Sequence, residues 1–292
     1  MKIAIATDTN SGITAMEGEK LGVFVLAMPV NLEETIHYEG IDITSEQLYD
    51  AMRQHRDVST SQPSPGQLME LWDGILAKGY DEIVYIPMSC GLSGSCQSAA
   101  LFAQDYDGRV QVVDNHRISV TQKESVISAL RLVEQGYDAG QIRDFLEKHA
   151  YDASIYITVD SMEYLKKGGR VTPAAATLAT VLNLKPVLTI QGDKLDAFAK
   201  VRGMKLAESK MIEAIHQDRA ERFKDVPESR LLIETAGTLE NGELAEHWRQ
   251  QVQAEFPFAK VSYANLPCSI ACHLGMNSVA TVIMTEEVQR AD

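Results

Sequence analysis

Residues 82–95 read Glu-Ile-Val-Tyr-Ile-Pro-Met-Ser-Cys-Gly-Leu-Ser-Gly-Ser, an apolar run that passes into a loop of serine and glycine. The apolar part, Glu82–Pro87, predicts a buried strand, and the helical pattern Ser95–Asp105 follows the loop directly. The same alternation gives strands at Lys2–Thr7, Val110–Val113 and Ser154–Val159, and helices at Ser45–Arg53, Gln67–Lys78, Lys123–Gln135 and Ala139–His149. Strands separated by helices of this length imply βαβ crossovers, so the sequence predicts a parallel sheet with helices on both faces.

The second half of the chain predicts a mixed sheet with helices. Lys185–Gln191 and Leu195–Lys200 flank Gly192-Asp193-Lys194, a pattern typical of an antiparallel hairpin. The remaining elements are a helix at Met204–Lys224, a strand at Leu231–Ala236, a helix at Glu243–Glu255, and strands at Val261–Asn265 and Val279–Met284. For 292 residues we therefore predict an α/β chain of two domains, residues 1–158 and residues 159–292.

The charge balance and hydropathy exclude several classes of protein. Lys and Arg number 27 against 41 Asp and Glu, a net charge of −14, and such a surface repels the phosphates of nucleic acids. The most apolar stretch, Leu21–Val30, is about half the length of a membrane-spanning helix. The first residues reach Asp8 too soon to contain the apolar part of a signal peptide. We expect a soluble cytoplasmic protein with no integral membrane segment and no nucleic-acid partner.

Three polar segments follow predicted strands of the first domain and point to a ligand site. They are Thr7–Gly12, Met88–Ser95 and Asp114–Arg117, and ligands of α/β sheets bind beyond the carboxyl ends of the strands. We call Met88–Ser95 the serine loop. Its glycines leave the backbone amides exposed, and the start of the following helix adds unpaired N–H groups. Both features favour the binding of an anion. The same pattern also forms simple turns and helix caps. Phosphate, carboxylate and oxyanion all fit the loop.

The spacing of residues was compared with known catalytic, nucleotide-binding and metal-binding motifs. A nucleophile elbow needs Gly-x-Ser-x-Gly, but Gly94 directly follows Ser93. The sequence contains no Gly-Lys pair and no Gly-x-Gly-x-x-Gly, so neither a Walker A loop nor a dinucleotide fingerprint is present. Cys268-x3-Cys272-His273 resembles a metal clip that Cys90 and Cys96 could complete, but this spacing is not a standard zinc pattern. Small buried thiols are the expected identity of the four cysteines.

Two further segments have both a structural and a functional interpretation. Thr60-Ser61-Gln62-Pro63-Ser64-Pro65 predicts a helix start with a hydroxyl cap and an early proline. Lys166-Lys167-Gly168-Gly169-Arg170 predicts the last turn of a helix and its glycine cap. In a chain of net charge −14, this basic segment is also where an acidic partner or a substrate phosphate would bind.

In this order and spacing, the segments resemble the DegV family, the bacterial fatty-acid-binding proteins that serve as the B subunit of fatty acid kinase. The resemblance runs nearly end to end. It rests on the Asp8 loop, Thr60–Ser64, Gly91–Gly94, Leu165–Arg170, Leu184–Leu188, Arg202-Gly203 and His273-x-Gly275.

The resemblance implies a function. Such proteins enclose one long-chain fatty acid in an apolar tunnel between two α/β domains. A separate ATP-binding kinase subunit phosphorylates its carboxylate to an acyl phosphate for phospholipid synthesis. The residues implied to bind the carboxylate are Ser93, Gly94, Ser61, Thr60 and His273, and those implied to contact the kinase or the transferring phosphate are Arg170 and Arg202. The chain is then a lipid carrier rather than an enzyme, with the fatty acid as its ligand and with no cofactor or metal.

The sequence departs from the family at three points. Gly275-Met276-Asn277 stands where the family usually has Gly-Pro-Gly. Ser95 and Cys96 replace a threonine and an aromatic residue, and Cys90 replaces a frequent serine. These smaller side chains suggest a changed pocket length or a tolerance for kinked chains.

Two other functions remain as alternatives. A small-molecule hydrolase or transferase would use Ser93 as nucleophile, with His116 or His273 as a base within ~3 Å of the serine oxygen. A regulatory anion sensor would use the same loops without a long apolar tunnel. No spacing in the sequence demands a catalytic base, so the carrier is the leading interpretation.

Overall fold

A parallel sheet organises the first half of the chain in the computed structural model, which describes residues 1–180, 184–192 and 194–289. With elements numbered in chain order, the sheet consists of β2 (Val23–Leu26), β1 (Ile3–Asp8), β6 (Glu82–Ile86) and β7 (Val110–Val112), in that spatial order. All neighbouring pairs are parallel, which confirms the predicted parallel sheet. The strand β2 was not predicted, because its residues lie inside the longer apolar stretch Leu21–Val30.

Helices and a small second sheet complete this unit. The helices are α1 (Ala15–Leu21), α2 (Ser45–Arg53), α3 (Pro65–Ala77), α4 (Ser95–Phe102), α5 (Val120–Glu134) and α6 (Ala139–Lys148). The small antiparallel sheet contains β4 (Thr35–Tyr38), β3 (Pro29–Leu32) and β5 (Val58–Thr60). Thr44 and Gln47 cap α2 reciprocally, as their spacing predicts. Ser64 and Gln67 cap α3 in the same way.

The second half forms a six-stranded mixed sheet. In spatial order its strands are β10 (Asp196–Arg202), β9 (Leu184–Ile190), β8 (Ala153–Thr158), β13 (Val279–Thr285), β11 (Leu231–Gly237) and β12 (Ser262–Asn265). The pair β11–β12 is parallel, and the other neighbours are antiparallel. The predicted hairpin is therefore present as β9 and β10, although Asp193 of its link lies outside the described residues.

The helices of this half are α7 (Glu163–Gly168), α8 (Pro173–Ala176), α9 (Met204–Glu221), α10 (Gly242–Glu255) and α11 (Cys268–Leu274). The core includes Trp248, whose indole N–H donates to the Ala280 carbonyl at 2.9 Å. In the first unit, the fully buried Trp72 packs edge-on against Tyr85 and Tyr106. The two tryptophans of the chain thus lie one in each unit.

One strand belongs to a different sheet from the one that the sequence suggested. We placed Ser154–Val159 in the first domain, but β8 pairs with β9 and β13 in the second sheet. The compact units divide between Tyr151 and Asp152, ahead of this strand, whereas our predicted boundary follows residue 158. All six residues of β8 are buried, so its apolar pattern does not indicate which sheet it joins. Residues 267–269 and the described residues 287–289 belong to the first unit.

No helix within the described residues is both long enough and apolar enough to cross a lipid bilayer.

Candidate carboxylate-binding site

The serine loop leaves the carboxyl end of β6, where the ends of β1 and β7 also lie because parallel strands align their ends. Two carboxylates from those neighbouring strand ends hold its first residues. Asp8 Oδ2 accepts the Met88 N–H at 3.1 Å, and Asp114 Oδ1 accepts the Cys90 N–H at 3.1 Å. The three polar segments that the sequence analysis selected therefore meet at one edge of the sheet.

Asp8 is completely buried and is surrounded by hydrogen-bond donors. Its Oδ1 accepts from the Gln122 amide at 3.0 Å and from the backbone N–H of Asn10 at 3.0 Å. Burial raises the pKa of Asp8, and these hydrogen bonds lower it by less. All of these partners are donors, so the Asp8 carboxylate acts only as an acceptor. Asp8 therefore holds the start of the serine loop in place.

Ser93 is buried near the tip of the serine loop, just before α4. Its Oγ accepts the Ser95 N–H at 3.2 Å, and its own N–H donates to the Ser89 carbonyl at 3.2 Å. The Ser93 hydroxyl proton is therefore still available for an acceptor such as a carboxylate oxygen. Ser95 Oγ is a second buried hydroxyl, with no hydrogen-bond partner among the described residues.

The segment that contains Thr60 and Ser61 lies beside the serine loop. Gln62 Oε1 accepts the Ser98 hydroxyl at 3.3 Å, and a Cβ built on Gly94 would lie 3.4 Å from the same oxygen. Thr60 ends β5, opposite Val30 of β3, and Ser61 is exposed. The structure thus places Gln62, the neighbour of Thr60 and Ser61 in sequence, against Gly94 of the serine loop and Ser98 of α4.

The two arginines of the predicted phosphate contact lie at opposite ends of one strand. The Arg170 carbonyl accepts the Leu195 N–H at 2.9 Å, next to the start of β10, whereas Arg202 ends that strand. Seven residues at ~3.3 Å each separate the two ends by about 20 Å. The backbones of Arg170 and Arg202 therefore lie at opposite ends of β10.

His273 lies close to Arg170 in the second unit. A Cβ built on Gly168 would clash with the His273 ring, so a larger residue at this position would have to displace that ring. Burial, and then the charge of Arg170, lower the pKa of His273 to about 4. His273 is therefore a neutral imidazole near pH 7, able to offer one N–H donor but no positive charge.

We predict that the His273 ring titrates with a midpoint near pH 4, well below the ordinary histidine value of 6.5. Because the unfolded chain takes up this proton near pH 6.5, the stability that neutral His273 contributes is complete above that pH and is lost as the pH falls toward 4. The ring Cε1–H resonance in proton NMR, assigned with His273→Gln, measures the midpoint. A midpoint near 6.5 would contradict the burial of this ring.

The cysteines differ from the expectation of four buried thiols. Cys90 and Cys96 form a disulfide, while Cys268 and Cys272 are buried free thiols. Four cysteines fit the expected cytoplasmic location and are too few for a disulfide scaffold, so this pairing was not predicted. Within the described residues, the potential metal cluster is Cys90, Cys96 and Asp114 rather than a clip built on Cys268 and Cys272.

The geometry of the first unit does not favour Ser93 as a nucleophile. Within its described residues, Ser93 Oγ bonds to the Ser95 N–H and to no histidine. His116 Nδ1 lies 3.9 Å from Asp114 Oδ1, too far for a hydrogen bond that would orient a base.

Sequence reasoning missed two glutamines that shape this site. Gln122, at the start of α5, reaches Asp8 across 114 residues of sequence, and Gln62 joins the two hydroxyl-bearing loops. Glutamine carries no motif of its own here. The only local signal was the position of Gln62 inside the segment Thr60–Ser64.

Comparisons with known sequences agree over nearly the whole chain. A family model described as an uncharacterised protein of the DegV family matches residues 2–286. A DegV domain-containing protein of Streptococcus pneumoniae is 31% identical over 283 residues, which cover 96% of this chain and 98% of that protein. A DegV domain-containing protein of Deinococcus radiodurans is 35% identical over 218 residues, 74% of this chain and 77% of the relative.

Solved structures give the same result. A DegV family protein from Thermus thermophilus, described by its fatty acid binding, superposes with a TM-score of 0.86 at 30% identity and covers 98% of this chain and 100% of its own. DegV from Bacillus subtilis, described as a fatty acid binding protein, has a TM-score of 0.85 at 25% identity, with 98% and 99% covered. By sequence along its length and by fold, this chain belongs to the DegV family.

Proposed function

We propose that the chain binds one long-chain fatty acid in an apolar tunnel, with the carboxylate at the serine loop, and presents that carboxylate to the ATP-binding subunit of a fatty acid kinase. The product would be an acyl phosphate for phospholipid synthesis. The observation that carries the proposal is that Ser93 and Gly94 lie beside the segment that contains Thr60 and Ser61. The fatty acid binding described for the Thermus thermophilus and Bacillus subtilis relatives supports the ligand class.

Hydroxyl donors suit a carboxylate that must later react. Removing a carboxylate from water costs several kcal/mol unless it is hydrogen-bonded or paired. The Ser93 hydroxyl can supply such a bond, and Ser61 can supply a second from the neighbouring loop. Within the described residues of the first unit, no lysine or arginine is hydrogen-bonded to the Ser93 side chain. A carboxylate held by uncharged donors keeps its oxygen available as a nucleophile.

The acyl chain would supply most of the affinity. At ~0.8 kcal/mol per buried CH₂, a sixteen-carbon chain contributes on the order of 10 kcal/mol before the entropic cost of binding. Specificity for a carboxylate then depends on the few polar groups of the serine loop and its neighbour.

The separation of the two arginines divides their proposed roles. Arg170 lies near His273, so it is the candidate for contact with the transferring phosphoryl group, which a guanidinium can bind through two donors. Arg202 is exposed about 20 Å away along β10, so it is a candidate for the surface that the kinase subunit contacts.

Mass spectrometry of an organic extract of the purified protein tests the ligand. We expect long-chain fatty acid at about one molecule per chain, because a tunnel that buries an acyl chain retains it through purification. A protein that carries no lipid and that hydrolyses small esters would instead support the hydrolase interpretation.

We predict that Arg170→Ala leaves fatty acid binding unchanged and lowers phosphorylation by the kinase subunit about tenfold, the loss expected for one charge-assisted contact. A fatty acid binding assay and a coupled ATP-consumption assay measure the two effects separately. Arg219→Ala, which removes an exposed arginine paired with Glu228 on the same unit, is the matched control and should change neither. Loss of binding together with phosphorylation in Arg170→Ala would contradict this division of roles.

A further inference from the structure

The disulfide between Cys90 and Cys96 closes a ring around the residues that we assign to the carboxylate. Its Cα atoms lie 5.0 Å apart across a separation of six residues. The ring contains both Ser93 and Gly94. Cys90 is the third residue of the serine loop, and Cys96 is the second residue of α4. The cross-link therefore joins the strand side of the serine loop to its helix side.

We propose that this disulfide is a redox switch on the carboxylate-binding loop, an inference that rests on the proposed fatty acid binding. In the oxidised form the ring holds the loop in the binding geometry. In the reduced form the loop moves more freely, and the affinity for the fatty acid carboxylate falls.

The hydrogen bonds of the loop show why the cross-link matters. The N–H groups of Leu92 and Ser93 both donate to the Ser89 carbonyl, and the Gly91 N–H donates to Ser89 Oγ at 3.1 Å. The Ser95 N–H donates to Ser93 Oγ. All of these bonds are made within the loop, so they order it locally. The disulfide restricts the open conformations of this segment, which is how a cross-link preorganises a binding loop.

The two cysteines differ in burial. Cys96 is buried, with 1% of its surface exposed, whereas Cys90 is only partly buried. A small thiol therefore reaches Cys90 first. Its thiolate attacks Cys90 Sγ, the S–S bond breaks, and Cys96 leaves as a thiolate that takes a proton from water.

A second small thiol then completes the reduction. It displaces Cys90 from the mixed disulfide, so two thiols become one small disulfide and the protein gains two thiol groups. A low-molecular-weight disulfide reverses the reaction. In reducing compartments, protein disulfides are usually transient and redox-sensing rather than structural, which agrees with this role.

The Asp114 carboxylate lies near both cysteines and is a possible third metal ligand in the reduced form. Ligand atoms of Cys90, Cys96 and Asp114 lie within 4.8 Å of one another, so the reduced pair could also bind zinc. An experiment on the switch must therefore contain a chelator, so that any loss of affinity comes from the dithiol and not from a metal.

The test compares palmitate binding by delipidated protein, oxidised or treated with a phosphine reductant, in the presence of EDTA. We expect the Kd of the reduced protein to be about tenfold higher. Alkylation in denaturant confirms the two states, since the oxidised protein should take up two labels and the reduced protein four. Four labels on the air-oxidised protein would overturn the proposal.

Two variants sharpen the comparison. Cys90→Ser should bind like the reduced wild type and should not respond to the reductant. Cys268→Ala removes a buried free thiol and keeps the disulfide, so it should retain the full response. Equal affinities of oxidised and reduced wild type overturn the switch alone. Absence of palmitate binding in both states overturns the proposed function and the switch with it.

Discussion

Ser93→Ala lowers the affinity for a long-chain fatty acid by about ten- to a hundredfold, the loss expected when one hydrogen bond to a charged group is removed. The Ser93 hydroxyl accepts from Ser95 and retains its own proton for the ligand. The variant removes that donor without changing the volume of the loop by more than one oxygen atom. Titration with a fluorescent fatty acid and displacement by palmitate measure the change.

The same experiment separates a carboxylate contact from a general effect on the lipid site. Binding of a fatty acid methyl ester should be weaker than binding of the acid in the wild type and nearly unchanged in Ser93→Ala, because the ester carries no negative charge. Ser209→Ala, an exposed serine of α9 that bonds to the Lys205 carbonyl, is the matched control and should bind normally. Equal losses for the acid and for the ester would show that Ser93 only shapes the loop.

Local signals predicted much of the fold. The capping pair Thr44 and Gln47 starts α2 where the sequence placed it, and the strands before the serine loop and around it were found within a residue or two. These elements are determined by residues that are close in sequence, so hydrophobic periodicity and capping residues can predict them.

Contacts between residues that are distant in sequence could not be predicted from such local signals. The apolar sequence pattern of β8 is compatible with either sheet, because both faces of the strand are buried. Gln122 reaches Asp8 only after the sheet has formed, and glutamine has no pattern that predicts this. The disulfide between Cys90 and Cys96 was also not predicted, because buried free thiols were expected for all four cysteines.

The base of the candidate site depends on a buried ion pair, and its removal should have the largest effect on stability. The side chains of Arg117 and Glu287 are 2% and 1% exposed. The guanidinium of Arg117 also donates to the His149 carbonyl at 2.7 Å, and the Arg117 carbonyl accepts the Ser89 N–H at 2.9 Å. Arg117 thus links the start of the serine loop to the end of α6 and to residues 287–289.

We predict that Arg117→Met lowers the free energy of unfolding of the first unit by about 3–5 kcal/mol, because it leaves the Glu287 carboxylate buried without its cation. Urea unfolding in a Trp248→Phe background measures this unit by itself, since Trp72 is then the only tryptophan. Arg56→Met, which breaks an exposed pair with Glu33, is the matched control and should have little effect.

The double variant Arg117→Met with Glu287→Leu tests the cause of the loss. If the unpaired carboxylate causes most of the destabilisation, replacing it with an apolar side chain of similar size should recover a large part of the stability, as for other buried ion pairs replaced by apolar residues. The fatty acid affinity should not recover in parallel if the polar bonds of Arg117 position the serine loop. A double variant as unstable as Arg117→Met alone would show that the bonds from Arg117 to backbone carbonyls, rather than the charge of Glu287, hold this part of the unit together.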